Sequence, residues 1–334
     1  MRLIFLFVAT LSCASAQQAT QQHVMVPMSD GTKLSIYLYL PEGSGPWPVL
    51  YEQRYSNVTV DSSRKAYTAL AMKGYVIAAQ NFRGAQLSEG VYTGYRALGW
   101  GEQRDGYDTV TWLANQPWSN GKIGTFGGSQ AGYAQNFLAV TQPPNLVAQY
   151  MTDTGQSLFH LGYRRGGATR KMPLEEARDP RDAVNLNLEM FKHPVYDEYW
   201  KQEDTTRRFD KMNVPCFTLG SWYDFMNAGS IESYIGRQHH GGVQSRGNQS
   251  LPIGPWLHGS SYRSTGPVGE LVYPANPSAL ARSYLTLLAK TYPGPSASAT
   301  GPWPRPDEIN RNAHESSPNR TAHGKRPGSR TPDL

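Results

Sequence analysis

Residues 121–133 constrain the fold of this chain more than any other stretch. They begin as an apolar-rich run typical of a short buried strand, pass through two glycines to Ser129, and lead into a helical pattern over residues 133–140. A serine in a glycine-lined turn between a strand and a helix is typical of a nucleophile elbow, in which backbone strain lifts the hydroxyl out of the sheet. The next backbone N–H then lies at a helix N-terminus, where it can face an oxyanion.

The glycine spacing of this turn leaves a second interpretation open. Gly127 lies two residues before Ser129, but Ala131 occupies the position two residues after it, and the next glycine is Gly132. Many glycine-rich loops match this looser spacing, and a serine in such a loop can simply cap the following helix. The rest of the chain therefore has to decide between a nucleophile and a cap.

Short apolar runs alternate with helical patterns along most of the chain. A hairpin is predicted over residues 23–40, around Asp30 and Gly31. Further strands are predicted at residues 49–55, 75–79, 146–151, 214–219 and 251–254, and helices at residues 64–73, 103–116 and 133–140. This alternation predicts an α/β fold with a mostly parallel sheet covered by helices on both faces.

The pattern changes between residues 153 and 212, where polar and aromatic residues replace the apolar runs. Helical stretches are predicted there at residues 173–178 and 185–192. A helical insertion between two core strands predicts a cap over the carboxyl edge of the sheet. The core is then expected in two parts, residues 23–152 and 213–290.

The N-terminus has the pattern of a secretory signal peptide over residues 1–16. Arg2 precedes an apolar run at residues 3–11, and small residues follow at 14–16. The run is too short for a stable membrane anchor. We therefore expect a secreted or periplasmic protein whose remaining cysteine, Cys216, is a buried small hydrophobe.

The end of the chain differs from the core in composition. A short helix is expected at residues 279–290, and residues 291–334, rich in Pro, Ser, Asn, Arg and Gly, are expected to be disordered. The net charge of +6 is spread out, with no basic stripe carrying interleaved aromatic residues, so nucleic-acid binding is not expected. No phosphate loop, nucleotide fingerprint or His/Cys cluster predicts a cofactor or metal. The oligomeric state stays open.

A nucleophilic serine needs a base and a group that orients the base. In α/β-hydrolases the order along the chain is Ser, then Asp or Glu, then His, each in a loop after a core strand. Asp224 and His258 occupy such positions after Ser129. Asp224 could instead cap a turn and His258 could lie free on the surface, and the pair His239 and His240, in a polar glycine-rich stretch, is a rival base.

Several blocks of the sequence resemble one family, the X-Pro dipeptidyl-peptidase and cocaine-esterase family of α/β-hydrolases, which includes α-amino-acid ester hydrolases. The resemblance covers residues 25–285 and includes the late glycine of the elbow. Its blocks are Asn-Phe-Arg-Gly at 81–84, Ser-Glu-Gly at 88–90, the stretch 105–124, Gly-Ser-Trp-Tyr-Asp at 220–224 and Gly-Pro-Trp-Leu-His at 254–258.

The resemblance implies a role for each residue. Ser129 would attack the acyl carbon, His258 would carry the proton, and Asp224 would orient His258. The oxyanion hole would combine the Gln130 N–H with the Tyr55 hydroxyl, and the alternative for Tyr55 is an ordinary aromatic residue at a strand end. Trp222 and Tyr223 would line the substrate pocket.

Three departures from the family pattern stand out. Gln130 replaces the usual Tyr after the nucleophile, and Ser221 is inserted before Trp222. Members usually carry a C-terminal β-sandwich of jelly-roll type, and we expect it to be absent here, since the stretch after residue 290 has no strand pattern.

The resemblance implies an exported serine hydrolase that acts on a small ester, an amide or a short peptide. A dipeptidyl-peptidase would need an anionic pocket for the substrate ammonium. Glu175, Glu176, Glu189 and Asp197 are candidates, and a solvated helix face explains these acids equally well. An α-amino-acid ester hydrolase or acylase is the alternative among enzymes. A non-catalytic or truncated α/β-hydrolase-fold binding protein is the alternative of another class.

Overall fold

The computed structural model describes residues 19–170, 176–260, 267–268 and 270–273. Its first two strands, β1 (Thr20–Pro27) and β2 (Lys33–Leu40), form the predicted antiparallel hairpin. The turn between them contains Gly31 at φ +85°, a conformation that glycine adopts without steric cost. Strand β2 then pairs antiparallel with β4 (Val76–Asn81) and so joins the hairpin to the central sheet.

The central sheet is parallel from β4 onward. Its further strands are β3 (Trp47–Arg54), β5 (Ser119–Gly128), β6 (Leu146–Thr152), β7 (Cys216–Ser221), β8 (Gln249–Ser250) and β9 (Ile253–Gly254). Strands β4 and β7 are buried along their whole length, as expected for strands with both faces covered. The strand order in the sheet is β1-β2-β4-β3-β5-β6-β7-β8, and β9 also pairs with β7.

Helices cover both faces of this sheet. On one face, α2 (Asp105–Ala114) and α3 (Gln130–Val140) contribute Val110 and Leu138 to a core that includes Val49 and Ile123. On the other face, α1 (Asp61–Ala71) packs Tyr67 against Tyr39 and Ile77. Helix α3 is buried from Ala131 to its end, which makes it the central helix of the fold. The predicted mostly parallel α/β architecture is confirmed.

The segment between β6 and β7 is helical in short pieces. It contains α4 (Pro180–Lys192), α5 (Glu198–Lys201) and short 3-10 or π-helical stretches at Leu158–Tyr163, Arg165–Gly167 and Thr205–Lys211. Helix α4 begins where it does because the Asp179 side chain accepts a hydrogen bond from the Arg181 N–H and Pro180 occupies the first turn. Trp200 of this segment belongs to the same buried hydrophobic cluster as Tyr133 and Phe137 of α3.

The observed elements differ from the predicted ones at several ends. Helix α4 begins five residues before the predicted start at 185, and the helix predicted at 173–178 is wrong in its described part. There Ala177 forms an antiparallel β-bridge with Ala85, so its backbone pairs with a distant segment rather than along a helix. His239 and His240 lie in the last turn of α6 (Asn227–His240), not in a loop.

Beyond the central sheet, β10 (Pro267–Val268) and β11 (Leu271–Val272) form a separate antiparallel pair. The predicted signal peptide (1–16), the expected helix at 279–290 and the tail at 291–334 lie outside the described residues. In the part of the chain that is described, no helix combines the length and the apolar character needed to cross a bilayer.

Candidate active site

The carboxyl ends of the parallel strands meet at one edge of the sheet. Strands β3, β5, β6, β7 and β9 end there at Arg54, Gly128, Thr152, Ser221 and Gly254. In open α/β sheets this edge is where ligands bind. The residues that directly follow these strands are therefore the candidates for a site.

Ser129 is held in a strained turn between β5 and α3. Its φ of 52° and ψ of −116° are rare for a residue with a side chain. The Ser129 N–H donates to the Thr152 carbonyl at 2.9 Å, and the Ser129 carbonyl accepts from the Tyr133 N–H at 3.0 Å. These two bonds stabilise a conformation that would otherwise relax, as predicted for an elbow.

The unusual glycine spacing has a packing explanation. A Cβ on Gly127 would lie 2.5 Å from Glu52 Oε1 and 2.7 Å from the Cβ of Ala131, so Ala131 occupies space that a glycine at 127 leaves open. A Cβ on Gly132 would lie 2.5 Å from the Cβ of Thr154, just after β6. The second glycine is needed where α3 passes close to Thr154, one residue later than in the common motif.

Ser129, His258 and Asp224 form a continuous hydrogen-bond chain. His258 Nε2 lies 3.0 Å from Ser129 Oγ, and His258 Nδ1 lies 2.9 Å from Asp224 Oδ1. The Asp224 side chain is fully buried, and its Oδ1 also accepts from the Met226 N–H at 3.0 Å. The His258 side chain is 33% exposed, so the hydrogen-bond chain runs from the buried Asp224 carboxylate to an accessible Ser129 hydroxyl.

The surroundings of His258 favour its protonated form. The hydrogen bond to Asp224 is the main reason that the pKa of His258 is raised above 6.5, and burial of the ring opposes it. The negative charges of Asp224 and Asp153 act in the same direction as the hydrogen bond, whereas the positive charge of Arg170 acts against it.

Gln130 connects the elbow to the loop after β3 through its side chain. Its Oε1 accepts from the N–H groups of Tyr55 and Ser56 at 3.1 and 3.0 Å, and its Nε2 donates to Ser56 Oγ at 2.8 Å. Both loop N–H groups are therefore engaged and do not face the space beside Ser129. We call these three hydrogen bonds of the Gln130 side chain the Gln130 clamp. The sequence interpretation missed it, because it assigned a role only to the backbone of Gln130.

Tyr55 lies next to the elbow in an aromatic cluster. Its ring packs edge-on against Phe82 and Tyr95, with centroids 5.8 and 6.2 Å away. Burial is the main reason that the pKa of Tyr55 is raised, so the hydroxyl stays protonated and can donate. The two positions predicted for the oxyanion hole, Tyr55 and Gln130, are thus brought together by the fold.

Trp222 and Tyr223 follow β7 with their rings exposed, at 62% and 42%. Their backbone N–H groups donate to the carbonyls of Gly254 and Trp256, at 2.8 and 3.0 Å. The backbone is therefore held in place while the two rings face outward. The inserted Ser221 is accommodated as the last residue of β7, where it pairs with Gly254. The predicted pocket wall stays a prediction.

The acidic candidates for an ammonium pocket separate into two groups. Glu176 is half-buried, and its charge contributes to the raised pKa of Tyr55. Glu189 and Asp197 contact His193 instead, at 3.5 and 2.6 Å, and form a cluster on the surface of the cap segment. Glu175 lies outside the described residues.

Asp153 is an acid near this site that the sequence interpretation missed. Asp153, Asp224 and His258 each place one possible ligand atom within 4.8 Å of the others. Both ring nitrogens of His258 are already hydrogen-bonded, to Ser129 and to Asp224, so a metal ion would have to break the chain described above. We assign no metal here. The signal for Asp153 was its position directly after a buried strand, the same signal that singled out Asp224.

Known proteins with similar sequences are hydrolases. A cocaine esterase of Rhodococcus sp. (strain MB1 Bresler) is 25% identical over 287 residues, which is 71% of this chain and 48% of that protein. The chain spans about half the length of this curated relative.

Solved structures support the fold. An aminopeptidase from a marine sediment Thaumarchaeota archaeon matches with a TM-score of 0.68 and 23% identity, over 82% of this chain and 54% of that one. An α-amino acid ester hydrolase also matches at a TM-score of 0.68, with 20% identity over 90% of this chain and 58% of that one. The predicted α/β-hydrolase fold is therefore confirmed.

The sequence also matches a family model, described as X-Pro dipeptidyl-peptidase (S15 family), over residues 30–179 and 170–260. The matched part contains the elbow and the two loops that carry the acid and the histidine. The chain belongs to the X-Pro dipeptidyl-peptidase (S15) family.

Proposed function

We propose that this protein is a serine hydrolase that cleaves an ester or amide acyl bond through an acyl-enzyme on Ser129. The observation that carries the proposal is the hydrogen-bond chain from Ser129 Oγ through His258 to Asp224, with distances of 3.0 and 2.9 Å. A strained serine at the carboxyl edge of the sheet, a partly exposed imidazole and a buried carboxylate are the parts that nucleophilic acyl transfer needs.

The reaction follows from the order of these groups. Ser129 Oγ attacks the acyl carbon while His258 Nε2 takes the hydroxyl proton, and the same proton is returned to the leaving alcohol or amine. Water then attacks the acyl-enzyme, with His258 again accepting and returning a proton, which releases the acid and restores Ser129. Asp224 holds the Nδ1–H tautomer and stabilises the imidazolium that forms in both steps.

The oxyanion of each tetrahedral intermediate would be bound between two donors. The Gln130 N–H lies at the N-terminus of α3, where the helix dipole favours negative charge. The second donor would be the Tyr55 hydroxyl, because the N–H groups of Tyr55 and Ser56 already donate to the Gln130 side chain. This clamp supports a side-chain donor in place of the loop N–H that many α/β-hydrolases use.

The substrate we propose is a small ester, an amide or a short peptide, and the protein is proposed to act after export. The relatives include an esterase, an aminopeptidase and an amino acid ester hydrolase, and their names support this range. A dipeptidyl-peptidase-like or amino acid ester activity would use a free ammonium on the acyl group. Glu176 is the acid proposed to bind it, because its negative charge contributes to the raised pKa of Tyr55, whereas Glu189 and Asp197 are paired with His193.

The segment at residues 153–212 is proposed to cap the site. Arg170 lies over the ring of Phe225 at 5.5 Å, and the Phe225 ring lies 4.8 Å from that of His258. The cap segment therefore reaches the base, where it could limit the size of the substrate.

A fluorophosphonate probe tests the proposal directly. The parent protein is expected to gain one probe adduct on Ser129 and to hydrolyse an activated ester. Ser129→Ala should lose labelling and roughly 10⁴ to 10⁶ in rate while keeping its circular dichroism spectrum. Ser119→Ala, at the other end of β5, is the matched control and should label normally. A parent that does not label, or a Ser129→Ala protein that keeps a tenth of the activity, would contradict the assignment.

A further inference from the structure

Asp153 occupies an unusual position at the end of β6. It is 1% exposed, and its φ of 48° places it in the left-handed region, which non-glycine residues rarely adopt. Its N–H donates to the Leu219 carbonyl at 3.0 Å, which fixes its backbone to β7. The residue before it, Thr152, is the one whose carbonyl accepts from the Ser129 N–H. Asp153 thus lies directly behind the elbow.

The carboxylate of Asp153 contacts the loop that carries His258. Its Oδ2 accepts from the Gly259 N–H at 2.9 Å, one residue after the histidine. A carboxylate oxygen of Asp153 also lies within 4.8 Å of a ring nitrogen of His258 and of an Asp224 oxygen. Two acids, from the ends of two different strands, therefore approach the same imidazole.

A second buried carboxylate at this place lowers the stability of the folded protein. Burial is the main reason that the pKa of Asp153 is raised to about 6, and the charge of Asp224 adds to it, whereas the charge of His258 lowers it. A buried acid beside another acid in a strained backbone lowers stability, so its presence is better explained by what it does to the site.

We propose that Asp153 is a positioning residue for His258: it anchors the histidine loop through the Gly259 N–H and adds a second negative charge facing the imidazolium. The proposal rests on the proposed function, since it assigns a role in the same proton transfer. Asp153 does not replace Asp224, which makes the direct hydrogen bond to Nδ1. It acts through the position and the basicity of the base.

Three charged groups around His258 affect its basicity, and a test must separate the effect of Asp153 from those of the other two. Asp224 faces the ring from the loop after β7, Asp153 from the end of β6, and Arg170 from the cap segment. At neutral pH an ionised Asp153 stabilises the imidazolium, so the histidine is a stronger base. Removing that charge lowers the pH at which the histidine loses its proton.

The test is the pH profile of kcat/KM for Asp153→Asn. Asparagine keeps the size, tolerates the left-handed backbone and can still accept from the Gly259 N–H. We expect the acid limb of the profile to move to lower pH by about 1 unit, and kcat on the plateau to fall about tenfold. An unchanged limb with an unchanged kcat would overturn the proposal.

Thermal stability distinguishes this role from a merely structural one. Because the pKa of Asp153 in the folded protein is raised from 3.8 to about 6, its contribution to stability is present at low pH and is lost as pH rises through that range. Asp153→Asn escapes this loss, so its Tm at neutral pH should equal or exceed that of the parent. A lower Tm with an unmoved acid limb would mean that Asp153 is structural only.

Two further variants complete the design. Asp153→Gly relaxes the backbone and removes both charge and anchor, so it should show the same shift of the limb and a larger fall in kcat, even if the Asn variant fails to fold. Asp105→Asn is the matched control, because burial raises the pKa of Asp105 to about 6 as well, yet its partner is Arg83 at 2.6 Å. Its acid limb should stay in place.

The Ser129→Ala result keeps this inference separate from the proposed function. Full activity in Ser129→Ala would remove the serine mechanism and this inference with it. An inactive Ser129→Ala together with a normal pH profile in Asp153→Asn would leave the serine mechanism standing and reject only the role of Asp153.

Discussion

The two halves of the candidate site are built in different ways. The nucleophile side, consisting of Ser129, Gln130 and Tyr55, is held by long elements, since β5 has 10 residues and α3 has 11. The base side, consisting of Asp224 and His258, follows shorter elements, and β9 before His258 has 2 residues. The nucleophile side is shaped by backbone sterics around glycines, whereas the base side is held by hydrogen bonds between charged groups.

This difference predicts which kind of change should most impair each half of the site. Close packing at the elbow leaves no room for an added methyl group, so the nucleophile side should be sensitive to side-chain volume. The base side depends on the ionisation of buried and half-buried groups, so it should be sensitive to pH. Three measurements test this contrast.

Among these three measurements, the largest effect is expected for Tyr55→Phe, on the nucleophile side. The change removes one hydroxyl whose proposed partner gains charge only in the transition state, so kcat should fall by roughly 10² to 10³ with little change in KM. Steady-state kinetics measure both constants, and circular dichroism confirms the fold. Tyr95→Phe is the matched control, because its ring packs against Tyr55 at 6.2 Å. Near-normal turnover in a folded Tyr55→Phe protein would remove Tyr55 from the site.

A pair of glycine substitutions compares the two halves directly. Gly132→Ala places a Cβ 2.5 Å from Thr154 in a buried helix, and should lower the free energy of unfolding by about 3 kcal/mol and reduce activity. Gly259→Ala, after His258, meets no atom within 4 Å and suffers only from its φ of 67°, so about 1 kcal/mol is expected. Urea denaturation measures both. Equal losses would mean that the two halves are equally tightly packed.

The smallest effect is a displaced pH profile on the base side. The hydrogen bond to Asp224 raises the pKa of His258, so the imidazole keeps its proton to higher pH than a free histidine does. Only the neutral ring can accept the Ser129 proton, so kcat/KM should fall as pH drops through a midpoint above 6.5. Measurement of kcat/KM with an activated ester gives the midpoint. A midpoint at or below pH 6.5 would show that Asp224 does not raise the pKa of His258.

Much of the fold and the central groups of the site could be predicted from the sequence. The strand-turn-helix around Ser129 is local in the chain, and the acid and the histidine follow recognisable strands, so periodicity and order were enough to single them out. The helix predicted at 173–178 was wrong in its described part because a bridge between Ala177 and Ala85 depends on a partner far away in the chain.

The sequence by itself determined the alternation of strands and helices, the elbow and the order of Ser129, Asp224 and His258. Each of these features can be recognised from residues that are close together in the chain. Only the tertiary structure decided the rest. The pairing of β5 with β6 and of β6 with β7 brings Asp153 beside His258, and the β3 exit brings Tyr55 within reach of the Gln130 amide. These contacts depend on which strand ends lie side by side, and that is a property of the assembled sheet rather than of any local stretch of the chain.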